Sequence, residues 1–192
     1  GERVLDVACG TGDLALAFTD SPVERVIGID FATGMLQRAM VKGAGVPEVS
    51  WQAGDAIHLP VANASVDVVT IAFGIRNVTD PAAAMAEFVR VLRPGGRVLV
   101  LEFSLPRNRF LRGLYQFYFR HIMPHTAGLI AGDRGGAYRY LPESVNTFIG
   151  RDEMVQMMEE AGLTEVKQWP LTLGIAVLYR GVKPVSDREP SG

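Results

Sequence analysis

The chain has 192 residues, 48% of them hydrophobic and 21% charged, with a formal net charge of −2. That is the composition of an ordinary globular domain with a sizeable core, and the charge argues against a general nucleic-acid binder. A single cysteine, Cys9, excludes an intrachain disulfide and points to a reducing compartment; no apolar run approaches the ~18 residues of a membrane-spanning helix, and no secretory signal is visible.

The first element is the strand-like run "RVLDVA" (3–8), and the chain opens only two or three residues before it, as a fragment or a trimmed chain would. The turn "CGTGD" and a helix-like run follow. "RVIGID" (25–30), "VSWQAG" (49–54), "VDVVTIAFG" (66–74) and "RVLVLEF" (97–103) read as further strands, near-continuously apolar as parallel strands covered on both faces are. In "PAAAMAEFVRVLRPGG" the residues Met85, Phe88, Val89 and Leu92 fall at helical spacing. Pro81 can open that helix and Pro94-Gly95-Gly96 is expected to end it. Met154, Met157, Met158 and Ala161 repeat the pattern before Gly162. The runs "TEVKQW" (164–169) and "GIAVLYRG" (174–181), joined by a short link, predict an antiparallel hairpin at the edge of the sheet. Between 105 and 148 the alternation stops in an aromatic, basic stretch too long for a simple connection. The expected organisation is one domain over 1–183, with an insertion or lid over about 105–148 and a flexible tail over 184–192.

A glycine-rich turn between a strand and a helix lets a ligand approach the backbone at a helix N-terminus. Gly10 and Gly12 supply that turn, and Gly10-Thr11-Gly12-Asp13-Leu14-Ala15 fits the weaker ending of the dinucleotide fingerprint. Asp30, 18 residues beyond Gly12, stands where an acid can hold ribose hydroxyls. A nicotinamide cofactor remains compatible with this much. Three features favour a different ligand. Asp6 puts a carboxylate at the ligand end of the first strand, where a cationic amino-acid group suits it better than a pyrophosphate. "GDAIHLP" (54–60) places Asp55 after the third strand, where it can accept from an adenine amino group. The edge hairpin is the third. Together they resemble the Rossmann-like methyltransferases that use S-adenosylmethionine.

Narrower stretches are "TIAFGIRNVTD" (70–80), "RVLRPGGRVLVLEFS" (90–104) and "YRYLPESV" (138–145). These resemble the UbiE/MenG family of quinone C-methyltransferases in menaquinone and ubiquinone biosynthesis, over Val4 to about Lys183. The resemblance implies a leading segment before the first strand, and the expectation is that this chain lacks it. The resemblance implies an α/β fold with a mostly parallel seven-stranded sheet, an antiparallel edge hairpin and a helical insertion after the fifth strand. It implies S-adenosylmethionine contacts at Thr11, Asp30, Asp55 and Ala56, beside Asp6, Gly10 and Gly12. A further family contact, often a serine, falls on Ala72, where only a backbone contact could survive. The acceptor it implies is a prenylated quinol: demethylmenaquinol, or alternatively a methoxy-benzoquinol precursor of ubiquinone. Another small-molecule methyltransferase, or a non-catalytic module that binds the cofactor, is a further alternative.

Methylating a carbon needs an electron-rich ring, hence the quinol and best its phenolate. Asp133 can take the phenol proton and Arg76 can stabilise the oxygen anion. Tyr140, Tyr138 and His121 are polar groups in aromatic surroundings. The alternatives are an ion-paired structural residue for Arg76, a packing residue for His121 and a turn acid for Asp133. Cys9 has no histidine or second cysteine spaced to share a metal, and no metal is expected. Arg107, Arg109, Arg112 and Arg120 interleave with aromatic and leucine residues in 105–125. An amphipathic helix on an anionic membrane surface and a buried lid helix both fit. The expected location is the cytoplasm, peripheral at the inner face of the membrane, with no nucleic-acid partner.

Overall fold

A computed structural model describes residues 1–104 and 149–185. Its strands are β1 (Glu2–Val7), β2 (Val23–Asp30), β3 (Val49–Ala53), β4 (Val66–Ala72), β5 (Leu92–Phe103), β6 (Thr164–Leu171) and β7 (Ala176–Val182). The described helices are α1 (Asp13–Ala17), α2 (Thr33–Lys42), α3 (Pro81–Val91) and α4 (Arg151–Glu160). The strands form one sheet in the order β3-β2-β1-β4-β5-β7-β6. Strands β1 to β5 pair in parallel, and β7 runs antiparallel to both β5 and β6. The expected edge hairpin is therefore present, its turn formed by Thr172–Gly174. The aromatic, basic stretch over 105–148 and most of the tail lie outside the described residues.

Alternation sorts each central strand between two apolar layers. Leu5 and Val7 of β1 pack with Ala84, Met85 and Phe88 of α3 and with Met154 and Met158 of α4. Val4, on the other face, packs with Ala15 of α1, Val26 of β2 and Val68 of β4. Both faces are buried, and this is why these strands read as continuous apolar runs rather than alternating ones.

α3 departs from its sequence expectation. It begins as expected, with Pro81 in its first turn and the Asp80 carboxylate accepting from the Ala83 N–H at 3.0 Å. It ends at Val91, before Pro94-Gly95-Gly96, and Leu92 already belongs to β5. Competing donors take the last carbonyls. The Ala64 and Ser65 N–H groups donate to the Arg90 and Val91 carbonyls, and Lys183 Nζ donates to those of Val89 and Leu92, each at 2.7 Å. Leu92 stays buried, but as a strand residue.

Candidate functional site

In this strand order the connections leave β1 and β4 in opposite directions. The crevice outside their carboxyl ends is where open α/β sheets bind ligands. A cavity of about 520 Å³ opens there. Its walls come from the ends of four strands: Gly10 after β1, Asp30 and Phe31 at the end of β2, Asp55 and Ala56 after β3, and Ala72 at the end of β4. Two strand exits carry non-glycine residues at positive φ, Ala8 at 53° and Phe73 at 55°, and both line the cavity. Such backbone is uncommon outside glycine and concentrates at functional sites.

Gly10 has φ 57°, and a β-carbon built on it would meet nothing within 4 Å. It presents bare backbone to the cleft. Its N–H donates to Asp30 Oδ2 at 2.7 Å, and the Ala32 N–H donates to Asp30 Oδ1 at 2.8 Å. Asp30 thus ties the glycine turn to the start of α2 while lining the cavity. Asp55 accepts from the Ile57 N–H at 3.2 Å, which fixes the turn that carries Ala56. The described lining includes the carboxylates of Asp30 and Asp55 and no lysine or arginine. That balance favours a cationic ligand over a pyrophosphate.

Three of the expected cofactor residues stand off the cavity wall. Asp6 is 1% exposed, on the α1 side of β1. Burial pushes its carboxyl up to about 7, against a backbone hydrogen bond from Ala15, and Asp30 adds a like charge. Its Oδ2 has no hydrogen-bond partner. Thr11 faces Asp13 and Lys42: its hydroxyl donates to Asp13 Oδ2 at 2.6 Å and accepts from Lys42 Nζ at 3.0 Å. Gly12 is buried against the ring of Trp51.

Arg76, in the short turn after β4, forms an ion pair with Glu102 of β5. Glu102 is 2% exposed, accepts from the Phe103 N–H at 2.7 Å, and is pushed up by its burial. The guanidinium lies 5.2 Å from the Phe103 ring centroid, and that ring stacks on Phe73 at 4.4 Å. Arg76 Nε and Glu102 Oε2 are buried without hydrogen-bond partners. Arg76 lies outside the cavity lining, whereas its neighbour Asn77 lines it. Asp133, Tyr140, Tyr138, His121 and the arginines of 105–125 lie outside the described residues. Glu102, within "LEFS", and Trp51, within "VSWQAG", have no motif in the sequence that assigns them a part. The available signal for Glu102 was a lone acid inside an apolar strand.

A mostly parallel seven-stranded sheet with one antiparallel strand, and an acid-lined cleft at its switch point, defines a Rossmann-like methyltransferase that uses S-adenosylmethionine. Gly10 and Asp30 fit that donor: a bare backbone approach beside an acid able to meet ribose hydroxyls. The chain belongs to the ubiE/COQ5 methyltransferase family, whose sequence model matches residues 1–183. It is 45% identical over 183 residues to a ubiquinone/menaquinone biosynthesis C-methyltransferase of Syntrophotalea carbinolica, covering 94% of this chain and 76% of that one. It is 44% identical over 185 residues to the demethylmenaquinone methyltransferase of Thermus thermophilus, covering 95% and 83%. Among solved structures, the CurJ carbon methyltransferase superposes with a TM-score of 0.68 at 18% identity, covering 96% of this chain and 49% of that one. The [4+2]-cyclase SpnF superposes with 0.69 at 18%, covering 97% and 76%. At those identities the likeness speaks to fold alone, and a cyclase on the same fold shows why the site must carry the function.

Proposed function

We propose that this chain methylates a ring carbon of a reduced, prenylated quinol, with demethylmenaquinol as acceptor and menaquinol as product. The observation that carries the reading is the 41–45% identity, over nearly the whole chain, to relatives named for demethylmenaquinone or ubiquinone/menaquinone methylation. The acid-lined cleft at the switch point agrees with it. Bound in the cleft, S-adenosylmethionine supplies an electrophilic methyl on a sulfonium. Asp30 would hold the ribose, Asp55 and Ala56 the adenine, and Gly10 the close backbone approach. Ala72 offers only backbone.

The residues then have three tasks: align the reactants, help a phenol ionise whose ordinary pKa is ~10, and exclude water. For each methyl gained the quinol gives up one proton. Arg76 would stabilise the phenolate oxygen or orient a water, held in place by Glu102. A guanidinium stays protonated and accepts no proton, so a separate acceptor is needed, and Asp133 and Tyr140 are our candidates. No helix among the described residues is long and apolar enough to cross a membrane. We assign the prenyl tail to a peripheral membrane contact through the basic, aromatic stretch of 105–125. A ubiquinone precursor is the second reading, favoured by the double name of the Syntrophotalea relative.

The test is mass spectrometry of the quinones in cells lacking this protein. Accumulated demethylmenaquinone supports the first reading and an accumulated unmethylated ubiquinone precursor supports the second. An unchanged quinone profile refutes both.

A further inference from the structure

The second glycine of the turn does not face the cleft. A β-carbon on Gly12 would lie 2.3 Å from Trp51 Cη2 and 3.1 Å from the Ala39 Cβ. The same ring closes on two more glycines. A β-carbon on Gly28 of β2 would sit 2.5 Å from Trp51 Cε3 and Cζ3, and one on Gly43, after α2, would sit 3.1 Å from Cζ2 and Nε1. Three segments each present a glycine to one indole, which fills the slot between them. From outside, Lys42 Nζ clasps the turn through Thr11 and Asp13, at 2.8 to 3.0 Å. The glycine turn is therefore seated on Trp51 on one side and latched by Lys42 on the other. Its far end, Gly10, donates to Asp30 in the cleft.

We propose that Trp51 is a positioning residue for the methyl donor: its ring fixes the Gly10–Gly12 turn and so sets affinity for S-adenosylmethionine, without touching the ligand. Trp51 lies outside the described cavity lining, and so does Gly28. The inference rests on placing the donor at Gly10 and Asp30. Without the indole, Gly12 (φ 82°) loses the surface that holds its left-handed backbone, and Gly10 can drift from Asp30. Binding then requires the ligand to order the turn, and affinity falls by the fraction of time the turn is out of place. Once the ligand is bound the turn is restored, so turnover at saturating donor is little changed.

Calorimetric S-adenosylmethionine binding and steady-state kinetics would be measured on wild type, Trp51→Phe, Trp51→Leu, Gly28→Ala, Trp51→Leu/Gly28→Ala and Asp30→Ala. Trp51→Leu is expected to raise Kd and the donor KM about tenfold with kcat within about twofold, and Trp51→Phe to restore most of the affinity. Gly28→Ala, at an ordinary φ and outside the cavity lining, should weaken binding by pushing the ring into the turn, the 2.5 Å clash with the indole outweighing a 3.1 Å approach to Cys9 Sγ. The double variant should bind no worse than the weaker single, because the clash with the ring has gone and only the milder 3.1 Å approach to Cys9 Sγ remains. Wild-type Kd in Trp51→Leu and Gly28→Ala, with only their melting temperatures lowered, would overturn the proposal. So would additive losses in the double variant, or a fall in kcat at unchanged Kd. Should Trp51→Leu not fold, Trp51→Phe and Gly28→Ala carry the test alone, and wild-type Kd in both overturns it. If wild type does not bind, or Asp30→Ala binds normally, the placement of the donor fails, and the inference with it.

Discussion

Asp30 does two jobs with one carboxylate. It lines the cleft and accepts from the backbone of both Gly10 and Ala32. Replacing it removes the proposed ligand contact and the tie on the turn together. Asp30→Ala is expected to weaken S-adenosylmethionine binding by about tenfold or more, since a hydrogen bond to a charged group is worth ~1.5–3 kcal/mol; unchanged affinity in calorimetry would refute the placement. Asp6 tests burial. Its carboxyl, raised from 3.8 to about 7 chiefly by desolvation, holds a proton in the folded state that the unfolded chain releases near pH 4. Its contribution to stability is therefore full below pH 3.8 and is lost as pH rises through about 7. A shift of that size corresponds to roughly 4 kcal/mol. Asp6→Asn should flatten the fall in stability between pH 4 and 8 and make the protein more stable at pH 8. Urea denaturation at pH 5 and pH 8 would show it; the same fall in both proteins would mean Asp6 does not titrate in that range.

At the scale of an element, α3 shows how a helix gets its end. The apolar spacing of Met85, Phe88 and Val89 ran on to Leu92, and a proline-glycine-glycine stop followed two residues later. The helix nonetheless stops at Val91. Its terminal carbonyls are claimed by the loop before β4 and by Lys183, which arrives from the end of β7. The Lys183 ammonium also opposes the negative end of the helix dipole. Lys183→Met should destabilise the fold by about 1.5–3 kcal/mol, because two carbonyls lose a charged donor. Asp80→Ala, at the other end, removes only an N-cap and should cost about 1 kcal/mol. If chemical denaturation ranks the two the other way, the Lys183 contacts contribute less than their geometry suggests.

For the whole molecule, cleft occupancy should couple to folding. A donor that binds only the folded chain, at one hundred times its Kd, stabilises by about 2.7 kcal/mol. S-adenosylmethionine should therefore raise the melting temperature, and NAD at the same concentration should not. The proposed acceptor chemistry adds that only the reduced quinol turns over. Equal turnover of the oxidised quinone under strictly oxidising conditions would remove the phenolate from the mechanism.

Much of this was legible in local pattern. Continuous apolar strands meant a sheet covered on both faces. The glycine turn after β1, through Gly10, and the acid at the end of β2 marked the cleft, and the short link between β6 and β7 meant an antiparallel edge. Each signal lies within a few residues of the feature it reports, because strand alternation, helix spacing and turn chemistry act locally. The tertiary structure decided what those residues meet. Gly12 reads as a ligand glycine, and the structure adds that it packs against a tryptophan 39 positions further along the chain. Arg76 could be read as a phenolate-stabilising cation or as an ion-paired residue, and its partner is Glu102, 26 residues away. The carbonyls at the end of α3 are met by the loop before β4 and by a lysine more than 90 residues distant. None of these partners leaves a mark near the residue it governs. The sheet order brings them together, and burial then makes each unmade contact costly enough to fix the choice.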